Sequence, residues 1–145
     1  MKKRTLRGQI PEGQIFQLVV DDGRLTHGYR ITKFTIAGDG NLSAGNDVTA
    51  VLGLNYDTPS TWDWGDNRQI AWSSTNIDGL AGLNAPFSVV DPDHIVIQDL
   101  WIQGQTGSAG GTGVINYLIE LELMTLSNDE SILQLIKERS QNDLR

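Results

Sequence analysis

The sequence predicts a mainly β protein: an antiparallel β-sandwich, jelly-roll-like, with a C-terminal α-helix. Three observations predict it. Residues 114–124 alternate, with Ile115, Tyr117, Ile119, Leu121 and Leu123 facing one way and Asn116, Glu120 and Glu122 the other, the mark of a half-buried antiparallel strand. Upstream, short apolar runs are separated by Gly, Asp, Asn and Pro clusters, the punctuation of an all-β chain. Helix chemistry is concentrated near the C-terminus, where Ser127 precedes Glu130 by three positions, the spacing of a capping box.

Residues 14–21 form the first expected strand, with Phe16, Leu18 and Val20 on one face and Asp22-Gly23 as the turn behind it. A second strand spans 29–37, where Phe34 and Ile36 oppose Tyr29 and Ile31. Gly38-Asp39-Gly40-Asn41 opens a loop to Asp47, and a third strand over 48–56 sets Val48, Ala50, Leu52 and Leu54 against Val51. Residues 57–84, with Pro59 and many small polar residues, read as loops around a short strand at 69–73. A strand over 86–90 ends at Asp91-Pro92-Asp93, and 94–103 reads as a strand with Ile95, Ile97 and Trp101 on one face. Gly104 to Gly113 is expected as a hairpin tip that returns into 114–124. The helix then begins at Ser127, with Asp129 and Glu130 at its positive end, Lys137 and Arg139 towards its negative end, and an apolar stripe of Ile132, Leu133 and Ile136. A helix of about 13 residues is marginal alone and must pack, either on its own sandwich or on a neighbouring subunit.

At 145 residues, 39% of them hydrophobic and 20% charged, the chain can bury one core and is too apolar for global disorder. The expected organisation is a basic N-terminal arm over 1–12, a β-sandwich over 13–126, and a helix and tail over 127–145. Without cysteine there is neither a disulfide nor a thiolate metal site. No apolar run has the length of a membrane span, and no signal-peptide apolar segment follows the basic start. Net charge is −7, but Lys2, Lys3, Arg4 and Arg7 all precede the first acidic residue, Glu12. The acidic remainder argues against general nucleic-acid binding. The basic segment is expected either as a solvated start or as an arm docking on a neighbouring acidic surface.

Candidate chemistry is sparse. The 104–113 loop has no lysine and leads into a strand, unlike a phosphate-binding loop. Trp62-Asp63-Trp64-Gly65-Asp66-Asn67-Arg68 mixes aromatic rings with carboxylates and amides. Such a mixture serves sugar platforms, loop anchors and protein interfaces, with Trp62 or Trp64 tucked under the loop and Trp72 and Trp101 in the core or an interface. Asp57, Asp63, Asp66 and Asn67 lack calcium-loop spacing, and Asp91, Asp93 and His94 are neighbours that point apart. His27 and His94 have no nucleophile motif nearby, and Glu120 and Glu122 have the spacing of solvent-facing residues. No enzyme activity, cofactor or metal is expected.

Three segments together carry a resemblance: Val20-Asp21-Asp22-Gly23-Arg24-Leu25-Thr26-His27-Gly28-Tyr29, Trp62 to Trp72, and the strand-to-helix ending from Ile115-Asn116-Tyr117 through Lys137-Glu138-Arg139-Ser140. In this order they resemble small virion structural proteins of marine bacteriophages. The resemblance implies a structural role in the particle, with the protein made in the host cytoplasm. The expectation is a minor coat, cement or decoration protein bound to other capsid proteins and to copies of itself. Its expected contacts are Lys2, Lys3, Arg4 and Arg7 of the arm, Trp62, Trp64 and Arg68 of the loop, and Ile132, Leu133 and Ile136 of the helix. The alternatives are a carbohydrate-binding receptor module of a tail or spike, and a head–tail connector.

Overall fold

The computed structural model describes residues 2–20, 23–24, 26–38, 46–78, 83–107 and 113–143. In chain order the elements are β1 (Lys3–Pro11), β2 (Ile15–Val19), β3 (His27–Gly38), β4 (Asn46–Gly53), β5 (Gln69–Asp78), β6 (Leu83–Val90), β7 (Asp99–Thr106), β8 (Val114–Thr125) and α1 (Asn128–Asp143). The strands form two antiparallel sheets, β1-β8-β3 and β2-β7-β4-β5-β6. This is the expected sandwich with a helix after it.

The pairing is nested. β1 pairs with β8, β2 with β7 and β4 with β5, as when one long antiparallel ribbon is rolled up into a jelly roll. The innermost remaining couple is incomplete. β6 stays laddered to β5 and meets β3 through side chains: the Ser88 hydroxyl donates to the Phe34 carbonyl at 2.6 Å. Beside it the Thr75 hydroxyl donates to the Ile36 carbonyl at 2.8 Å. Between the sheets lies one core, with Phe34, Ile36, Leu52, Leu100, Ile102, Ile115, Ile119 and Leu121 at or near zero exposure. Solvent exclusion on this scale is what holds a sandwich together.

Several expectations are corrected by this arrangement. The segment read as a basic arm is strand β1, laddered to β8 from Lys3 to Pro11. Its pattern alternates Leu6 and Ile10 inward with Lys3, Thr5, Arg7 and Gln9 outward, and the charges mask that period. At the corner after Pro11 the chain changes sheets. Gly13 takes a left-handed φ of 75°, while Glu12 N–H donates to the Gly113 carbonyl and Gly13 N–H to the Gly104 carbonyl.

In β3 the ladder slips between Ile31 and Lys33. The bulge at Thr32 resets the period, so Tyr29, Ile31, Phe34 and Ile36 are all buried in the same core and do not oppose each other. Strand β5 is ten residues long where a short strand at 69–73 was expected. Residues 94–98 lie outside any strand: Tyr29 and Val96 form an isolated bridge, the Gln98 carbonyl accepts from Val20 N–H at 3.1 Å, and β7 begins at Asp99 with Leu100 and Ile102 inward and Trp101 outward. Finally, β7 and β8 belong to different sheets. The glycine-rich link between them is therefore a sheet-to-sheet crossing and not a hairpin, and residues 108–112 of it lie outside the described residues.

Candidate functional site

The outer face of the five-stranded sheet would be apolar if left bare. Val51 lies opposite Trp72 on β5 and Gln103 on β7, and Trp72 lies opposite Val89. The 54–68 segment crosses this face, and beneath it Val51 is 1% exposed and Trp72 6%. Its entry is a tight turn: the Asn55 carboxamide accepts from Asp57 N–H, and the Asn55 carbonyl accepts from the N–H and hydroxyl of Thr58. Gly53 admits this turn, because a Cβ there would occupy the place of the Thr58 side chain. The Thr58 carbonyl accepts from Gln103 Nε2 on the sheet below.

Gln69 holds the other end. It is 2% exposed, and its carboxamide oxygen accepts from Asp63 N–H and from Trp72 Nε1–H, both at 2.8 Å. Its nitrogen donates to the carbonyls of Pro59 (3.1 Å) and Thr61 (2.7 Å). Four bonds use the whole capacity most often met by a buried amide. Arg68 pairs with Asp66 at 2.6 Å and donates to the Asp57 carbonyl at 3.3 Å. Its guanidinium holds the Asp66 carboxyl below the usual carboxylate range.

The aromatic rings sit along this strap. Trp62 stacks on Phe87 with centroids 5.9 Å apart, Tyr56 meets Trp101 edge-on at 5.5 Å, and Trp64 meets Trp72 edge-on at 5.9 Å. Trp64 nevertheless remains 65% exposed and Tyr56 60%. Trp62 is thus the loop's half-buried anchor, and Trp64 is presented to solvent in the chain between Asp63, whose carboxylate accepts from Gly65 N–H, and Asp66, which Arg68 holds. Trp72 and Trp101 belong to the outer face and not to the core between the sheets.

The other expected contact residues lie elsewhere. Lys3 and Arg7 project from the outer face of the three-stranded sheet, opposite Glu122 and Leu118. Arg4 turns to the sandwich edge, donating to the Val20 carbonyl at 3.2 Å with its guanidinium 5.8 Å from the Tyr29 ring centre. Lys2, Lys3, Arg4 and His27 surround a cavity of about 300 Å³ floored by Tyr29 and Leu123. A second, shallower groove of about 460 Å³ runs between Arg7, Gln9, Thr35 and Asn116 with Leu118 and Ala37 at its base.

The capping box of α1 forms as read: Glu130 N–H donates to the Ser127 hydroxyl at 3.2 Å and Ser127 N–H to the Glu130 carboxylate at 3.3 Å. The helix runs on to Asp143, so Lys137 and Arg139 fall short of its last turn, which has no basic residue. Ile132, Leu133 and Ile136 are 57%, 58% and 56% exposed. The sandwich does not cover the stripe.

Loop, basic face and helix therefore do not converge on one cleft. Among the described residues no group of three His, Asp or Glu side chains is placed to share a metal. His94 Nε2 instead lies 3.2 Å from the Asp91 carboxylate within its own turn. Sequence reading missed Gln69, Tyr56 and Phe87, whose roles come from cross-strand register. No family model matches the chain, and no curated protein matches it.

Proposed function

We propose that the chain is a non-enzymatic structural component of a virus particle, a minor capsid, cement or decoration protein that binds neighbouring capsid subunits. The observation that carries this reading is α1. A capped helix with three aliphatic side chains more than half exposed is incomplete without a partner, since contiguous exposed apolar surface marks an interaction site. The resemblance of the three segments supplies the particle, and jelly rolls recur among capsid and lectin domains, although a fold does not by itself assign a function. The basic contribution comes from the face of β1 and not from a free arm.

Quantitative mass spectrometry of purified particles tests the reading. Copies comparable to the major coat protein support a shell or cement part, and a handful per particle support a connector. Absence from the particle overturns it. Trp64 favours a second reading, a carbohydrate-binding receptor module, because a ring 65% exposed beside Asp63 and Asn67 suits stacking on a sugar. On that reading Trp64→Ala abolishes binding on a glycan array. An array on which the parent protein binds nothing removes it.

A further inference from the structure

The topology sorts charge by layer. Residues 46–106, which supply four strands of the five-stranded sheet and its strap, contain eight Asp and, as the only Lys or Arg, Arg68. That cation is already paired with Asp66. The three-stranded sheet is the reverse. Its outward rows read Lys3–Glu122–Arg30, Thr5–Glu120–Lys33 and Arg7–Leu118–Thr35 across the three strands. Two carboxylates do not balance these four cations, and none lies in the row of Arg7. Lys2 and Arg4 add further positive charge at the same end of the sheet.

Shape follows the same division. The acidic side carries an exposed ring, Trp64, with Asp63 beside it in the chain. The basic side carries a shallow groove with an apolar base at Leu118 and Ala37 and a cationic wall at Arg7. The two outer faces of a sandwich point in opposite directions, so one copy cannot satisfy itself.

We propose that copies of this chain stack head to tail, with the Trp64 face of one seated on the basic face of the next. This deepens the proposed structural role by naming the partner. Trp64 enters the Leu118 groove, and Asp63 and its acidic neighbours meet Arg7, Lys33 and Lys3. The contact is heterologous, so it propagates as a ring or a filament instead of closing as a two-fold dimer. A face of three strands, two of twelve residues and one of nine, measures at most about 40 Å by about 14 Å, at the small end of specific interfaces, and its charges make it salt-sensitive.

Two variants of the full chain test it: Arg7→Glu with Lys33→Glu on one face, and Trp64→Ala with Asp63→Asn on the other. Circular dichroism and thermal unfolding first establish that both are folded, as exposed substitutions should leave them. The parent protein is expected to sediment as oligomers at about 100 µM in low salt and to dissociate at high salt. Each variant is expected to self-associate at least about tenfold more weakly. An equal mixture is expected to form a dimer and nothing larger, because each variant keeps one intact face. A parent protein that stays monomeric, a variant that assembles like the parent, or a mixture that stays monomeric overturns the proposal. If the chain is abundant in particles while the mixture fails to pair, this contact is wrong and the virion reading stands. Pairing by a chain absent from particles has the opposite meaning.

Discussion

Gln69 shows how much one side chain can decide here. Its carboxamide is the acceptor for Trp72 Nε1–H and Asp63 N–H and the donor to the Pro59 and Thr61 carbonyls. Replacing it by Leu keeps the volume and strands all four groups. A buried unsatisfied polar group costs about 1–3 kcal/mol, and part of the strap can rehydrate, so Gln69→Leu should destabilise by about 2–4 kcal/mol in urea unfolding. Tryptophan emission should shift to the red as Trp72 loses its cover. Unchanged stability and emission would mean that ring packing alone holds the strap. Arg68 gives a prediction with a pH signature. Its pairing depresses the Asp66 carboxyl in the folded protein, so the stabilisation is fully present above the unfolded value, near 4, and lost as pH falls through the lower folded value. Arg68→Met should therefore lower the melting temperature at pH 7, and the gap from the parent should close as pH is taken towards 2. A gap constant with pH would assign the effect of Arg68 to packing and to its bond with the Asp57 carbonyl.

At the scale of elements, α1 has its cap in place and its apolar stripe in solvent, so its contribution to the stability of the sandwich should be small. Changing Ile132, Leu133 and Ile136 together to Gln should leave the unfolding free energy of the β body within about 0.5 kcal/mol. On the proposed virion role, the same change should prevent incorporation into particles. A loss of several kcal/mol would instead place the stripe against the sandwich. The start of this helix was legible because a capping box is local chemistry, and β8 was legible because regular alternation survives burial on one face. Other elements resisted for physical reasons. The alternation of β1 is carried by Leu6 and Ile10 among three cations, and Gly8 supplies no apolar side chain to its inward face. One extra residue at Thr32 inverts the expected facing of Phe34 and Ile36. The 104–113 link has the composition of a hairpin turn, and only long-range pairing assigns its flanks to different sheets. Gln69 carries no local signal, since its partners are defined by the return of the strap over Trp72.

At the scale of the whole molecule, nested pairing makes the ends of the β segment interdependent. β1, the first strand, covers one side of β8, the last, while β3 covers the other. Deleting residues 2–8 would thus not trim a tail. It would remove Leu6 from the core margin, strip the ladder from Lys3 to Gly8, and leave the Tyr117–Glu122 stretch of β8 as a bare edge that includes Ile119 and Leu121, both fully buried in the intact protein. An exposed hydrophobic edge recruits other strands, so the shortened chain should aggregate or unfold, with a stability loss of at least about 3 kcal/mol where it stays soluble. Deleting residues 128–145 removes a helix that the sandwich does not cover and should leave the melting temperature of the body close to that of the parent. The two truncations separate folding from assembly: the first should fail as a protein, and the second should remain a folded sandwich that cannot dock. A soluble 2–8 deletion with parental stability would show that β1 is an appendage of the sheet, and would return its cations to the role of a detachable arm.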